Sequence, residues 1–217
     1  VRKQYPNGRG IKNVSLEVHS GEIFGFLGPN GAGKTTTIRT IMDFMRPDSG
    51  SITVFGKDSH KDSVAAKELI GYVAADKQLY PHWTGRQHLQ LYQASRPKSS
   101  LNVAKHLDLD LSVPTKHLST GNKQKLALTL ALCGQPKLLI MDEPSLGLSP
   151  LLVEEMFGLI QKLNAEGQSI LLMEQNAVQT LAIAHRAYII ENGVVAMQGK
   201  AGDLARDPEL RRNYLGL

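Results

Sequence analysis

The chain has 217 residues, 41% hydrophobic and 21% charged, with a formal net charge of +5; this fits one globular domain, or one domain with a subdomain, able to bury a core without covalent staples. Its one cysteine, Cys133, rules out an internal disulfide and, set in the apolar run 126–133, is expected to be a buried, inert thiol. The basic residues are scattered among acidic ones, which disfavours a nucleic-acid surface, and no apolar stretch approaches the roughly 18 residues of a membrane span.

Taken in order, the residues predict alternating strands and helices, hence an α/β fold around a mostly parallel sheet. The first residue is Val1 rather than Met, so preceding residues are expected; no signal peptide is visible. Val14, Leu16 and Val18 alternate with Ser15, Glu17 and His19, the period of a half-buried strand. Glu22–Leu27 reads as a short apolar strand, followed by a glycine-rich turn and a helix from about Lys34 to Phe44. Ile52–Phe55 and Ile70–Val73 are further strands, and residues 77–135 form a mainly helical subdomain broken at Pro81, Pro97 and Pro114. Lys137–Asp142 is a near-continuous apolar strand, as the interior of a parallel sheet demands. A helix near 150–165, a strand Ser169–Met173 and a helix near 176–184 follow. Strands 187–191 and 194–198 are joined by Asn192-Gly193, a hairpin signal, and the tail from Asp203 is polar and helical.

The turn after the second strand, Gly28-Pro29-Asn30-Gly31-Ala32-Gly33-Lys34-Thr35, has the spacing of a phosphate-binding P-loop. Its glycines let the backbone curl so that successive N–H groups face phosphate oxygens, and the following helix offers its positive end to the same anion. Lys34 is expected to reach the β- and γ-phosphates of ATP, Thr35 to give its hydroxyl to Mg²⁺, and Thr36 to add a donor to phosphate.

The strand Leu138–Met141 runs into Asp142-Glu143-Pro144, which puts two carboxylates where open α/β sheets bind ligands. Asp142 is the candidate for Mg²⁺ and Glu143, pointing elsewhere, for polarising the attacking water.

A third motif is Leu118-Ser119-Thr120-Gly121-Asn122, then Lys123-Gln124 and a helix, with Ser119 lying 23 residues before Asp142. Ser119 reads as the N-cap, and Ser119, Gly121 and the helix amides as a second anion site. At this spacing the motif resembles the signature of ABC ATPases, and the resemblance extends over nearly the whole chain. It implies an ATP-hydrolysing ABC cassette, the motor of a transporter, which pairs head to tail with a second cassette so that Ser119 and Gly121 act on the partner's ATP. By the same likeness Tyr5 matches the aromatic that stacks on adenine, a membrane-spanning subunit is the partner that carries substrate, and the chain works at the inner face of the cell membrane, meeting the membrane only through that partner. Residues 21–143 are similar to cassettes of ABC-2-type and drug exporters, through Gly25-Phe26-Leu27-Gly28-Pro29-Asn30 and Leu118–Asn122. Residues 144–217 are similar to branched-chain amino-acid importer cassettes, through Pro144–Leu148, Glu174-Gln175-Asn176 and Leu210–Gly216. A natural intermediate, a recombinant and a designed chimera all fit that mixture.

Three positions depart from the family pattern: Ala75 replaces a glutamine, Ser149 an aspartate, and Gln175 the histidine that contacts the γ-phosphate. Gln175 still donates and accepts hydrogen bonds and is a candidate catalytic group with Glu143 and Lys34, but it does not titrate near neutral pH. The departures predict intact nucleotide binding with weak or partner-dependent hydrolysis. They also leave open a degenerate half of a heterodimer, beside a non-transport ABC ATPase and a P-loop kinase; the last does not account for Leu118–Gly121. Leu79–Thr84, with its aromatic pair beside Pro81, is either a socket for a membrane-subunit helix or local packing.

Overall fold

The computed structural model describes residues 1–95 and 107–212; the expected break at Pro97 and the end of the tail lie outside the described residues. Its centre is a six-stranded sheet built from β3 (Ile23–Leu27), β6 (Ile70–Val73), β7 (Leu138–Asp142), β8 (Ser169–Glu174), β9 (Arg186–Glu191) and β10 (Val194–Lys200). The strand order is β10-β9-β3-β8-β7-β6, parallel throughout except for the antiparallel pair β9–β10. Every residue of β3, β7 and β8 is buried, which is why these segments read as unbroken apolar runs: helices or loops cover both faces. After β8 the chain passes to the far side of β3 to make β9, so the topology switches direction at β3 and β8, where open α/β sheets form their binding crevice.

Among the described residues the α-helices are α1 (Lys34–Ile41), α2 (Ser63–Glu68), α3 (Gly85–Ser95), α4 (Thr120–Leu132), α5 (Pro150–Ala165), α6 (Ala177–Ile183), α7 (Ala201–Leu204) and α8 (Pro208–Leu210). On one face of the sheet Phe24, Phe26, Ile140 and Met173 pack with Ile38 of α1. On the other, Leu139, Met141 and Leu172 meet Leu128 of α4 and the stripe Val153, Met156, Phe157, Ile160 of α5. That stripe has the three-to-four spacing of one helix face, and burying each such side chain is worth about 1.5–3 kcal/mol relative to exposure. Pro150 at the first turn suits a helix start, because its missing N–H would be unpaired there anyway. Cys133 is fully buried, and its Sγ contacts the Leu130 carbonyl.

Two small antiparallel pairs flank the N-terminal side: β1 (Lys3–Gln4) with β2 (Gly10–Ile11), and β4 (Thr53–Val54) with β5 (Lys57–Asp58). The expected strand over 14–18 does not form a ladder. Its burial still alternates, with Val14 buried and Leu16 and Val18 packed on the core, but among the described residues its backbone pairing is confined to Val1 and Val14, which exchange bonds of 2.7 and 2.9 Å. Periodicity reports which face is wet, whereas a strand also needs a neighbour. The expected strand at 52–55 shrinks to β4, because Phe55 and Gly56, both at positive φ, turn the chain back into β5.

The Asn192-Gly193 turn has both residues at positive φ, as a two-residue hairpin loop requires, and it also braces the glycine-rich loop. Gly193 N–H donates to the Ala32 carbonyl at 2.9 Å, and the Gly193 carbonyl accepts from Lys12 N–H at 2.8 Å. A Cβ on Gly193 would lie 2.3 Å from the Gly10 carbonyl oxygen. Gly193→Ala is therefore expected to cost about 1–3 kcal/mol, seen as a lower urea midpoint, and to weaken nucleotide binding in parallel.

Candidate nucleotide site

The glycine-rich loop leaves the carboxyl end of β3 and enters α1. Gly31 and Gly33 sit at φ 80° and 119°, where only glycine is unstrained. A Cβ on Gly28 would lie 2.3 Å from the Ile190 carbonyl oxygen, so Gly28 is fixed by close approach to β9. The loop ends at the N-terminus of α1, whose first residues Lys34, Thr35 and Thr36 have no earlier turn to bond to within the helix. Pro29, Asn30, Gly31 and Thr35 are exposed, Thr36 is half-buried, and Ala32, Gly33 and Lys34 are buried.

Lys34 is only 4% exposed. Its ammonium donates to the Gly28 carbonyl at 2.6 Å and the Pro29 carbonyl at 3.2 Å, and pairs with Glu143 Oε1 at 3.2 Å. Glu143 follows β7 at φ 47°, a strained conformation for a non-glycine residue, with its N–H donating to the Met173 carbonyl at 2.9 Å. The same Oε1 accepts from Gln175 Nε2 at 3.0 Å. The carboxyl ends of β3, β7 and β8 thus bring Lys34, Glu143 and Gln175 onto one oxygen.

Asp142, the last residue of β7, is 5% exposed. Burial pushes its pKa up, the adjacent Glu143 carboxylate adds to this, and Lys34, Tyr72 and Arg39 pull the other way. Burial, then the Asp142 carboxylate, raises the hydroxyl of Tyr72 in β6 to about 12. The buried Asp142 carboxyl at the end of β7 and the exposed Thr35 hydroxyl at the start of α1 are hard-oxygen donors of the kind that fits Mg²⁺, which takes one or two protein oxygens and completes its shell with phosphate and water. Among the described residues no cluster of three or more His, Cys, Asp or Glu forms an all-protein metal cage.

The Leu118–Asn122 segment opens α4. Ser119 caps α4, its Oγ accepting from Asn122 N–H at 3.2 Å, and both Ser119 and Thr120 are exposed. Leu118 and Gly121 are buried, and a Cβ on Gly121 would sit 3.2 Å from both Leu152 methyls at the start of α5. Among the described residues no hydrogen bond or ion pair joins Leu118–Asn122 to Gly28–Thr36. Tyr5 sits in the β1–β2 turn, half-buried, its hydroxyl donating to Met45 Sδ at 3.2 Å just beyond α1.

Of the altered positions, Ala75 offers only its carbonyl, which accepts from Lys77 Nζ at 3.1 Å, while Asp76 accepts from Gln78 at 2.6 Å. Ser149 caps α5 without a side-chain bond. In the 79–84 segment Tyr80 and Trp83 stack at 4.6 Å and both rings meet His88, whose Nε2 accepts from Tyr80 N–H at 2.9 Å. Local packing thus occupies Trp83 and His88, while Tyr80 stays 54% exposed. Three residues escaped the sequence analysis as site components: Tyr72, Gly193 and Glu174. Glu174 had a visible signal, a lone carboxylate ending an apolar strand, as Asp142 does in β7.

A glycine-rich loop linking a central parallel strand to a helix, with a buried lysine and an acidic pair from a nearby strand, defines a P-loop nucleotide-binding domain. The family model described as ABC transporter matches residues 11–146, well over half the chain. The chain belongs to the ABC transporter family of ATP-binding cassettes. It is 34% identical over 226 residues to the high-affinity branched-chain amino acid transport ATP-binding protein BraG of Pseudomonas aeruginosa, covering 100% of this chain and 97% of that protein. It is 32% identical over 228 residues to the lipopolysaccharide export system ATP-binding protein LptB of Acidithiobacillus ferridurans, covering 99% and 93%. Among solved structures, an ATP-binding subunit of an ABC transporter aligns with TM-score 0.82 at 29% identity, covering 98% of this chain and 92% of that one.

The raised Asp142 pKa carries a sign for stability. The folded state holds this proton more tightly than the unfolded state, so stability falls as pH rises from the unfolded towards the folded pKa, and the penalty is complete only above the folded pKa. Asp142→Asn is expected to raise the Tm of the nucleotide-free protein at pH 7, by about 2–4 °C per kcal/mol relieved, while removing Mg²⁺-dependent nucleotide binding. Thermal melts and titrations with Mg·ATP check both halves.

Proposed function

We propose that this chain is the ATP-binding and ATP-hydrolysing subunit of a transporter, powering substrate movement through separate membrane subunits by closing and reopening a pair of cassettes. The observation that carries the reading is the convergence of Lys34 and Gln175 on Glu143 Oε1, at the open end of the glycine-rich loop. The amides of Gly31–Thr36 and the Lys34 ammonium bind the triphosphate, Tyr5 stacks on adenine, and Thr35 and Asp142 hold Mg²⁺, whose charge, when bound, offsets that of the phosphate oxygens. Glu143 orients the attacking water and accepts its proton as the water oxygen bonds to the γ-phosphorus and the bond to the β-phosphate bridge breaks, giving ADP and phosphate. Gln175 holds Glu143 in place and supplies an amide donor to the γ-phosphate.

Exposed Ser119 and Thr120, remote in bonding from this chain's own loop, complete the site of a second cassette, and Tyr80 belongs to the surface that meets the membrane subunit. Among the described residues no helix is long and apolar enough to cross a membrane, so attachment at the inner face of the membrane runs through that partner. Similarity of about one-third to both a branched-chain amino acid transport protein and a lipopolysaccharide export protein favours neither import nor export.

The test is Mg·ATP turnover per subunit against protein concentration. Turnover should be weak for the isolated chain, rise with concentration, and fall by about 10²-fold or more in Glu143→Gln with ATP still bound. Glu143→Gln with undiminished turnover would refute the assigned site. Mixing the inactive variants Glu143→Gln and Ser119→Arg should restore turnover, because one of the two sites in the mixed dimer is then intact; no restoration would refute the shared site.

A further inference from the structure

The same strand end that carries Gln175 holds a carboxylate with no part in the mechanism above. Glu174 is 2% exposed, and among the described residues no basic side chain pairs with it. Both its oxygens are nevertheless occupied. Oε1 accepts from the Ser145 N–H at 2.9 Å, and Oε2 from the Gln175 N–H at 3.1 Å. Its backbone carbonyl accepts from the Gly28 N–H at 3.3 Å, and in the sheet it stands opposite Leu27, the last residue before the glycine-rich loop. One residue therefore contacts all three segments of the site: the start of the phosphate loop, the turn that carries Glu143, and the loop that carries Gln175.

An ionised carboxylate kept from water is costly unless its lone pairs are filled, and here two backbone amides fill them. Both amides belong to irregular segments, which sheet hydrogen bonds do not hold. Ser145 lies two residues after Glu143, inside a turn closed by Leu146 N–H on the Glu143 carbonyl at 3.1 Å. Gln175 is exposed, so packing does not fix it. A core role alone would be met by an apolar residue, as at the neighbouring positions Leu171, Leu172 and Met173.

We propose that Glu174 is a positioning residue for hydrolysis: its buried carboxylate clamps the Ser145 and Gln175 amides and so fixes the spacing at which Gln175 meets Glu143. The inference rests on the hydrolytic reading above. Glutamine at this position keeps the shape but replaces one acceptor oxygen with an NH₂ that faces an N–H donor, so one of the two loops is released. Alanine releases both and leaves two amides without partners, at a cost in stability.

The experiment compares wild type, Glu174→Gln, Glu174→Ala, Gln175→Ala and the double variant Glu174→Gln/Gln175→Ala. Steady-state turnover, ATP affinity, Tm and backbone amide exchange are read for each. Glu174→Gln should fold, bind ATP within about twofold of wild type, and lose about 10-fold or more in kcat. The double variant should lose no more than the worse single one, because both act through Glu143. Amide exchange should rise at Ser145 or Gln175 in Glu174→Gln and at both in Glu174→Ala. Wild-type kcat in a folded Glu174→Gln, losses that multiply in the double variant, or a parallel loss of ATP affinity would overturn the proposal. If wild-type turnover survives Glu143→Gln, the site reading fails instead, and amide exchange at Ser145 and Gln175 alone then decides whether Glu174 couples the two loops.

Discussion

A buried ammonium must be compensated, and how Lys34 is compensated organises this site. Its charge has almost no access to water. Two loop carbonyls and the Glu143 carboxylate surround it. Without them an uncompensated buried charge would be costly. A triphosphate entering the loop offers the same counter-charge that Glu143 supplies. In the proposed mechanism, binding nucleotide exchanges one partner of Lys34 for another and frees the carboxylate for water. The glycines, the strand ends and the Gly193 brace all serve to hold that exchange within reach of one oxygen.

The sheet places the Asp142 carboxyl group where its ionised form is disfavoured, next to a second carboxylate and a tyrosine hydroxyl. A fold selected for stability alone would carry an amide or an apolar residue there. The strain at Glu143, a non-glycine residue in the left-handed region, belongs to the same pattern. Gln175 differs from the family's histidine in a simple way: its amide keeps one protonation state across the physiological range, so its bond to Glu143 has no pH switch of its own.

Much of this was legible in the sequence, for physical reasons. Strands buried on both faces write themselves as apolar runs, so β3, β7 and β8 stood out, and the glycine spacing of 28–35 permits few other backbones. The Asn192-Gly193 turn followed from turn chemistry, and α5 fills the expected helix near 150–165. The 14–18 segment shows the limit: its alternation gave the correct burial but not a ladder, because pairing depends on a neighbour that local sequence does not encode. Glu174 and Tyr72 escaped for a related reason. Their roles depend on which strands become neighbours, and nothing local to β6 or β8 says that one will touch Asp142 and the other Ser145. The second job of Gly193, bracing Ala32, is likewise a contact across the sheet.

The most direct test of the central claim is a crystal structure of Glu143→Gln with Mg·ATP. The account predicts phosphates on the Gly31–Thr36 amides, Lys34 turned from residue 143 to the phosphates, Mg²⁺ touching Thr35 and Asp142, adenine on Tyr5, and Ser119 of a second copy across the γ-phosphate. Nucleotide bound away from the glycine-rich loop, or Lys34 still seated against residue 143 beside a bound triphosphate, would contradict it.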